Sequence, residues 1–347
     1  MTPEIRRSLV QHSQLRREPH AVLRRMLDHV PPGTIADGPT ARLERRIADL
    51  LGTPAALFFP TGTMAQQTAL RVHAERTGRR TFAAHPQCHL AVWEDEGYHA
   101  VHGLRHKAVG DHHGLITLDD LAEVREPLAA LLLELPQRDI GGLLPTWEDL
   151  LAQTGWARDR GAATHMDGAR LWEAQTYYDR PFAEIAGLFD TVYVSLYKSL
   201  EGVRGAVLAG DRATIDAASV WRRRLGGATP DSWPAAVTAL VGLDEVLPRM
   251  AEFRDHAVAV AAAINADGYA TTRPEVPQTP LFHVHIPAPK DTVAAAARRI
   301  LDETGVELPQ RPKATPDPAR CSIELTIGVV SLDFTPQEVA DLIRQLR

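Results

Sequence analysis

The feature that most constrains this chain is a rhythm of short, continuous apolar runs, each followed closely by a stretch with helical spacing. The runs are Ala55 to Phe59, Thr81 to Ala84, Leu131 to Leu135, Ala162 to Met166, Thr191 to Ser195 and Gly205 to Ala209. A strand that is apolar on both sides is buried on both faces. Helices predicted at Arg42 to Leu51, ended by Gly52, near Leu90 to Tyr98, and at Trp147 to Gly161 would supply the cover. The expected fold is therefore α/β, a mainly parallel central sheet flanked by helices. Sheets of this kind take their ligands just beyond the carboxyl ends of the strands.

At 347 residues the chain is long enough for two domains. Residues 1–30 read as one or two polar helices, with Leu23, Met26, Leu27 and Val30 at helical spacing before Pro31, Pro32 and Gly33. Residues 31–230 would form the large domain. The linker-like GGATPDSWP then leads into a smaller α+β domain over 231–347, with one long helix from Pro234 to Ala266. Strands Leu281 to Ile286 and Ser322 to Ile327, and helices Asp291 to Thr304 and Pro336 to Leu346, would complete it.

The charge balance, 38 Lys and Arg against 44 Asp and Glu, offers no basic excess for a phosphate backbone, so nucleic acid is not an expected partner. No apolar run approaches the roughly 18 residues of a membrane span, so no membrane partner is expected either. Cys88 and Cys321 lie far apart, which fits a cytoplasmic location and gives neither a disulfide framework nor a metal spacing.

Four segments at predicted strand ends carry candidate chemistry. In PTGTMAQQTAL, Gly62 and Thr63 open a helix whose free N–H groups could hold a phosphate, or a threonine there could simply cap it. In HMDGARLWEA, Asp167 follows a buried strand, where a carboxylate needs a cationic partner: a protonated ring nitrogen, or Arg170. In VYVSLYKSLEG, Lys198 stands just past another strand. Burial there would make its amine nucleophilic, and snorkelling to the surface is the alternative. About thirty residues separate Asp167 from Lys198, enough for one strand, helix, strand excursion back to the same rim. In AAHPQCHLAVWEDEGY, His85 and His89 could stack on a cofactor ring or serve as hydrogen-bonded structural residues.

Together, PTGTMAQQTAL, HLAVWEDEGY, HMDGARLWEA and VSLYKSLEGVRGAVLAG resemble the threonine aldolase and β-eliminating lyase family of pyridoxal-phosphate enzymes, which have the aspartate aminotransferase fold (fold type I). The similarity runs from about Pro39 to Gly227. It implies pyridoxal 5′-phosphate as cofactor, bound covalently by Lys198, with Asp167 on the pyridine nitrogen and His89 stacked on the ring. Gly62, Thr63 and Met64 would hold the phosphate, with a further contact from Ser195, and Arg170 would bind the substrate carboxylate. The resemblance further implies a homodimer or homotetramer with active sites between subunits.

Departures from the family pattern fall on the substrate side. ELPQRDIGG puts Gln137 where relatives carry a second histidine, and neutral Gln137 cannot act as a general base. Glu324 stands where an arginine is expected, and the Ser-Asp-Thr expected near the N-terminus is missing. Arg223, in WRRRLGG, matches a basic segment that lies near the site in relatives. The implied activity is cleavage of a β-hydroxy-α-amino acid to glycine and an aldehyde, the substrate being a small amino acid. β-Elimination, racemisation, aldol transfer, or cofactor binding without catalysis are the alternatives.

Overall fold

The computed structural model describes residues 4–35 and 38–347, so residues 1–3 of the expected N-terminal helices and residues 36–37 lie outside it. Seven strands form the central sheet: β1 (Ala55–Phe59), β2 (Thr81–Ala84), β3 (Arg105–Ala108), β4 (Ala130–Glu134), β5 (Ala163–Gly168), β6 (Thr191–Ser195) and β7 (Ala206–Gly210). Their order is β1-β7-β6-β5-β4-β2-β3. Strands β6, β5, β4, β2 and β3 are mutually parallel, while β7 runs antiparallel to both β6 and β1. The carboxyl ends of β1, β2, β4, β5 and β6 therefore share one rim.

The apolar runs form the strands because each is buried on both faces. Phe59, Ala83, Leu131, Met166 and Val194 are all fully covered. Truncating a large side chain in such a core costs about 2–5 kcal/mol. Strand β3, with sequence RHKA, escaped the apolar criterion because it lies at the sheet edge with mostly exposed side chains. The helices Leu171–Tyr178, Phe182–Ala186 and Arg212–Arg224 were also missed; they connect or cover strands without a sharp apolar stripe except in the last.

Two helical expectations need correction. In place of one helix near Leu90 to Tyr98 there are two single turns, His89–Val92 and Gly97–Ala100, separated where Asp95 and Glu96 take positive φ of 46° and 54°. The long helix expected from Pro234 to Ala266 is broken into Trp233–Glu245 and Met250–Asp267 by a 3₁₀ turn at Leu247–Arg249, where Pro248 withholds a backbone donor.

The described residues divide into two compact units: a larger one within 26–140 and 144–243, and a smaller one of residues 4–25, 141–143 and 244–347. The boundary thus falls inside a helix at 243/244 and not at 230/231. Residues 4–25 group with the smaller unit instead of standing alone. Arg7–Ser8 pairs in parallel with Val306–Glu307, and Arg7 hydrogen-bonds Glu338 at 3.1 Å while lying over the Phe334 ring. The smaller sheet is antiparallel, with strands β8 (Thr271–Arg273), β9 (Leu281–Ile286), β10 (Lys313–Ala314) and β11 (Cys321–Thr326) in the order β10-β11-β9-β8. Gly141 and Gly142 belong to this unit with φ of +98° and +72°. A Cβ on Gly142 would sit 2.7 Å from the Leu281 carbonyl oxygen. Among the described residues no helix is long and apolar enough to cross a membrane.

At the amino end of β6, in the large unit, the Thr191 hydroxyl lies 2.8 Å from both His73 Nε2 and His165 Nδ1. One hydroxyl can donate to one ring and accept from the other, which pairs one nitrogen of each neutral imidazole. Burial lowers His73 to about 4 and His165 to about 3.

Gly142→Ala should cost about 2 kcal/mol or more in chemical denaturation, because the residue must leave a left-handed conformation and a backbone contact. The control Gly155→Ala, within Trp147–Asp159 and with open space at the Cβ position, should instead gain about 0.5–1 kcal/mol. The unfolded chain protonates these histidines near pH 6.5 and the native state does not. Stability should therefore fall as pH drops from about 6.5 to about 4, and His73→Gln should flatten that loss in a pH series of denaturation midpoints.

Candidate active site

Strand register places the acidic groups. Asp167, near the end of β5, is 1% exposed and lies across from Glu134 of β4 on one side and Tyr193 of β6 on the other. Its Oδ1 accepts the Ala169 N–H at 3.1 Å, and its carbonyl accepts the Leu135 N–H at 2.9 Å. Lys198 sits three residues past β6 in a loop closed by Leu196 N–H to Gly205 O and by Gly202 N–H to Leu196 O. Loss of hydration lowers its amine to about 8. The Arg170 charge adds to that lowering, while Asp167 and Glu134 oppose it. Asp167 and Lys198 thus interact at one rim, as their spacing predicts.

His89 begins the single turn after β2. Burial opposes its charged form, yet the imidazole is raised above its ordinary value because Glu94 accepts from Nδ1 at 3.0 Å and Asp167 lies nearby. Glu94 is buried and also accepts from Gln67 Nε2 at 2.8 Å, so its position is fixed from two sides. The positive-φ pair Asp95 and Glu96 ends the turn just after it. His85 has the structural role: its Nε2 meets the Gly114 carbonyl at 2.8 Å, and its Nδ1 accepts the Gln87 N–H at 3.0 Å.

The helix Gly62–Thr77 starts at the same rim. Thr61 caps it by accepting the Met64 N–H at 3.2 Å, while the N–H groups of Gly62 and Thr63 fall in the first turn, where a helix supplies no acceptor. A Cβ on Gly62 would lie 2.1 Å from Tyr193 Oη, so glycine lets the helix start press on that ring. Ser195 ends β6 fully buried, and Met64 lies against Gly227 at the end of the WRRRLGG segment. Arg223 of that segment is exposed, whereas Arg222 donates to the Phe58 carbonyl at 2.6 Å.

Arg170 is 5% exposed, and its Nε forms an ion pair with Glu173 Oε1 at 3.6 Å. Glu173 in turn accepts from Ser199 Oγ at 2.5 Å, linking the arginine to the residue after Lys198. Gln137 is buried and donates from Nε2 to the Gln87 carbonyl at 3.0 Å and to Glu134 Oε2 at 3.2 Å. Glu324 belongs to the smaller unit, where it lies opposite His283 on the neighbouring strand, 3.9 Å away. The sequence reading did not single out Glu94, Glu134, Glu173 or Tyr193. The signal for Glu134 was available: LLLE ends an apolar run in an acid, just as THMD does. Among the described residues no cluster could hold a metal ion.

A family model described as beta-eliminating lyase matches residues 34–287, nearly three quarters of the chain. The chain belongs to that family. Within this lyase family, Low-specificity L-threonine aldolase 1 of Arabidopsis thaliana is 28% identical over 281 residues, covering 78% of each chain. The Low specificity L-threonine aldolase of Escherichia coli K12 is 30% identical over 239 residues, 67% of this chain and 71% of the relative. A crystal structure from Listeria monocytogenes, provisionally described as an L-allo-threonine aldolase, superposes with a TM-score of 0.91 at 33% identity and covers 99% of this chain and 96% of that one.

For this lyase-family chain the packing of Tyr193 beneath the helix start is testable. Gly62→Ala should cost about 1–3 kcal/mol, since a Cβ must displace the buried phenol. Tyr193→Phe removes the nearest clashing atom and should recover part of that cost in a double-mutant cycle of denaturation energies.

Proposed function

We propose that this chain is a pyridoxal-phosphate-dependent lyase that cleaves β-hydroxy-α-amino acids to glycine and an aldehyde. The observation that carries the reading is that Lys198, three residues past β6, and the buried carboxylate Asp167, near the end of β5, stand at one rim of the sheet close enough for their charges to interact. Family membership and the names of the threonine aldolase relatives support it.

The residues fit the cofactor. Asp167, 1% exposed and with one oxygen on the Ala169 N–H, is placed to accept from a protonated ring nitrogen. Lys198 has the amine to bind the carbonyl, and His89 has the flat ring to stack. The first-turn N–H groups of Gly62 and Thr63, with Ser195, would hold the phosphate, while the Met64 N–H is taken by the Thr61 cap. When bound, pyridoxal phosphate supplies the electron sink for the pair released by the broken Cα–Cβ bond.

The protein supplies the rest. Arg170, steadied by Glu173, binds the substrate carboxylate. His89 gives Nδ1 to Glu94, which leaves Nε2 as the nitrogen that takes the β-hydroxyl proton as the aldehyde carbonyl forms and returns a proton to the α-carbon of the glycine fragment. Gln137 spends its amide nitrogen on Gln87 and Glu134, and so supports the site from beneath. The working form is a homodimer or homotetramer with sites completed between subunits, as the family resemblance implies. It is cytoplasmic, in keeping with the free thiols of Cys88 and Cys321, and its partner is a small amino acid and not a nucleic acid or a membrane.

Lys198→Ala should lose both the near-visible absorbance of bound cofactor and all aldehyde release. Threonine, allo-threonine, phenylserine and serine should be compared by assays for aldehyde, pyruvate and inverted amino acid. Pyruvate or inversion without aldehyde would replace cleavage with elimination or racemisation. Because the Lys198 amine titrates at about 8, cofactor uptake by the cofactor-free protein should accelerate as pH rises through that value and then level off.

A further inference from the structure

We propose that Glu134 is a positioning residue for this site: its carboxylate clamps the turn that carries His89 and sets the charge that His89 and Lys198 feel. The inference rests on the reading above for the role of His89, but the contacts themselves do not. Glu134 Oε2 accepts the His89 backbone N–H at 3.2 Å and Gln137 Nε2 at 3.2 Å, while Oε1 accepts the Arg138 N–H at 3.2 Å. One carboxylate therefore ties together the end of β4, the turn after β2 and the loop that follows Pro136. The Glu134 and Asp167 positions are paired across β4 and β5, so the clamp is set at the level of the acid that would meet the cofactor ring.

Its electrical surroundings come from every neighbouring element. Asp167 and Asp139 raise the Glu134 carboxyl, while the Arg138 N–H and His89 lower it. Loss of hydration is the largest influence, and the balance brings the group up to about 7. Lys198 and Cys88 in turn feel the Glu134 charge, and Lys198 also feels Arg138. A carboxylate one strand from Asp167 and bonded to the main chain of His89 therefore couples the two positions.

The test is a comparison of Glu134→Gln, which keeps size and removes charge, with Glu134→Asp, which keeps charge and withdraws the carboxylate by one methylene. In the cofactor-free full chain, followed by histidine NMR across pH, Glu134→Gln should lower the His89 midpoint by about half a unit or more, because a neighbouring negative charge is lost. Glu134→Asp should hold it near the wild-type value. In the protein loaded with pyridoxal phosphate and given phenylserine, Glu134→Gln should reduce kcat about tenfold with KM changed less than about threefold, and Glu134→Asp should recover part of the loss. An unchanged His89 midpoint in Glu134→Gln overturns the proposal, as does an unchanged kcat. If the loaded wild type releases no aldehyde, the proposed lyase reading falls, and the histidine titration still decides the role of Glu134.

Discussion

Mutual compensation of charge at one rim of the sheet is the constraint on which the rest of the large unit depends. Asp167, Glu173 and Arg170 are withdrawn from water, and Lys198 and Glu134 largely share that environment. None of them could be kept there alone, since an unpaired charge in such surroundings costs several kcal/mol. Glu173 pairs Arg170, backbone N–H groups serve Glu134 and Asp167, and the two carboxylates moderate the lowered amine. The arrangement is paid for by a sheet whose strands are apolar throughout and whose ends deliver the charges in register.

The strands were legible because burial on both faces leaves a pattern that needs no tertiary information. Ala55–Phe59, Thr81–Ala84, Thr191–Ser195 and Leu281–Ile286 coincide with their predicted limits, and β4 and β5 differ from theirs by a residue or two. Pattern failed where burial is absent or local chemistry takes over. β3 is a polar edge strand, and the helix expected after His89 is split by two residues in the left-handed region. The N-terminal segment looked independent because its parallel partner, Val306–Glu307, lies at the far end of the chain.

The site was legible in a different way. Lys198, Asp167 and His89 stand out because polar residues directly after apolar strands are costly, and the fold brings their electrostatic fields together. What the sequence could not convey was how each is supported. Nothing in ELPQRDIGG says that Gln137 turns its amide toward Glu134, or in HMDGARLWEA that Arg170 pairs with Glu173 three residues on. Such choices depend on which strand lies beside which, and the order β6-β5-β4-β2 is fixed by long-range packing.

The pairing of Arg7–Ser8 with Val306–Glu307 carries a consequence for how the molecule comes into being. Ser8 and Glu307, joined through Oγ and Oε2 at 2.6 Å, are 299 residues apart. On the ribosome the opening segment must wait while the whole large unit emerges, and only after Glu307 has been made can it find its place. A chain stopped before that point would leave its first residues without their strand partner. The smaller unit therefore cannot be completed until Glu307 has been made, although Arg7 and Ser8 belong to it.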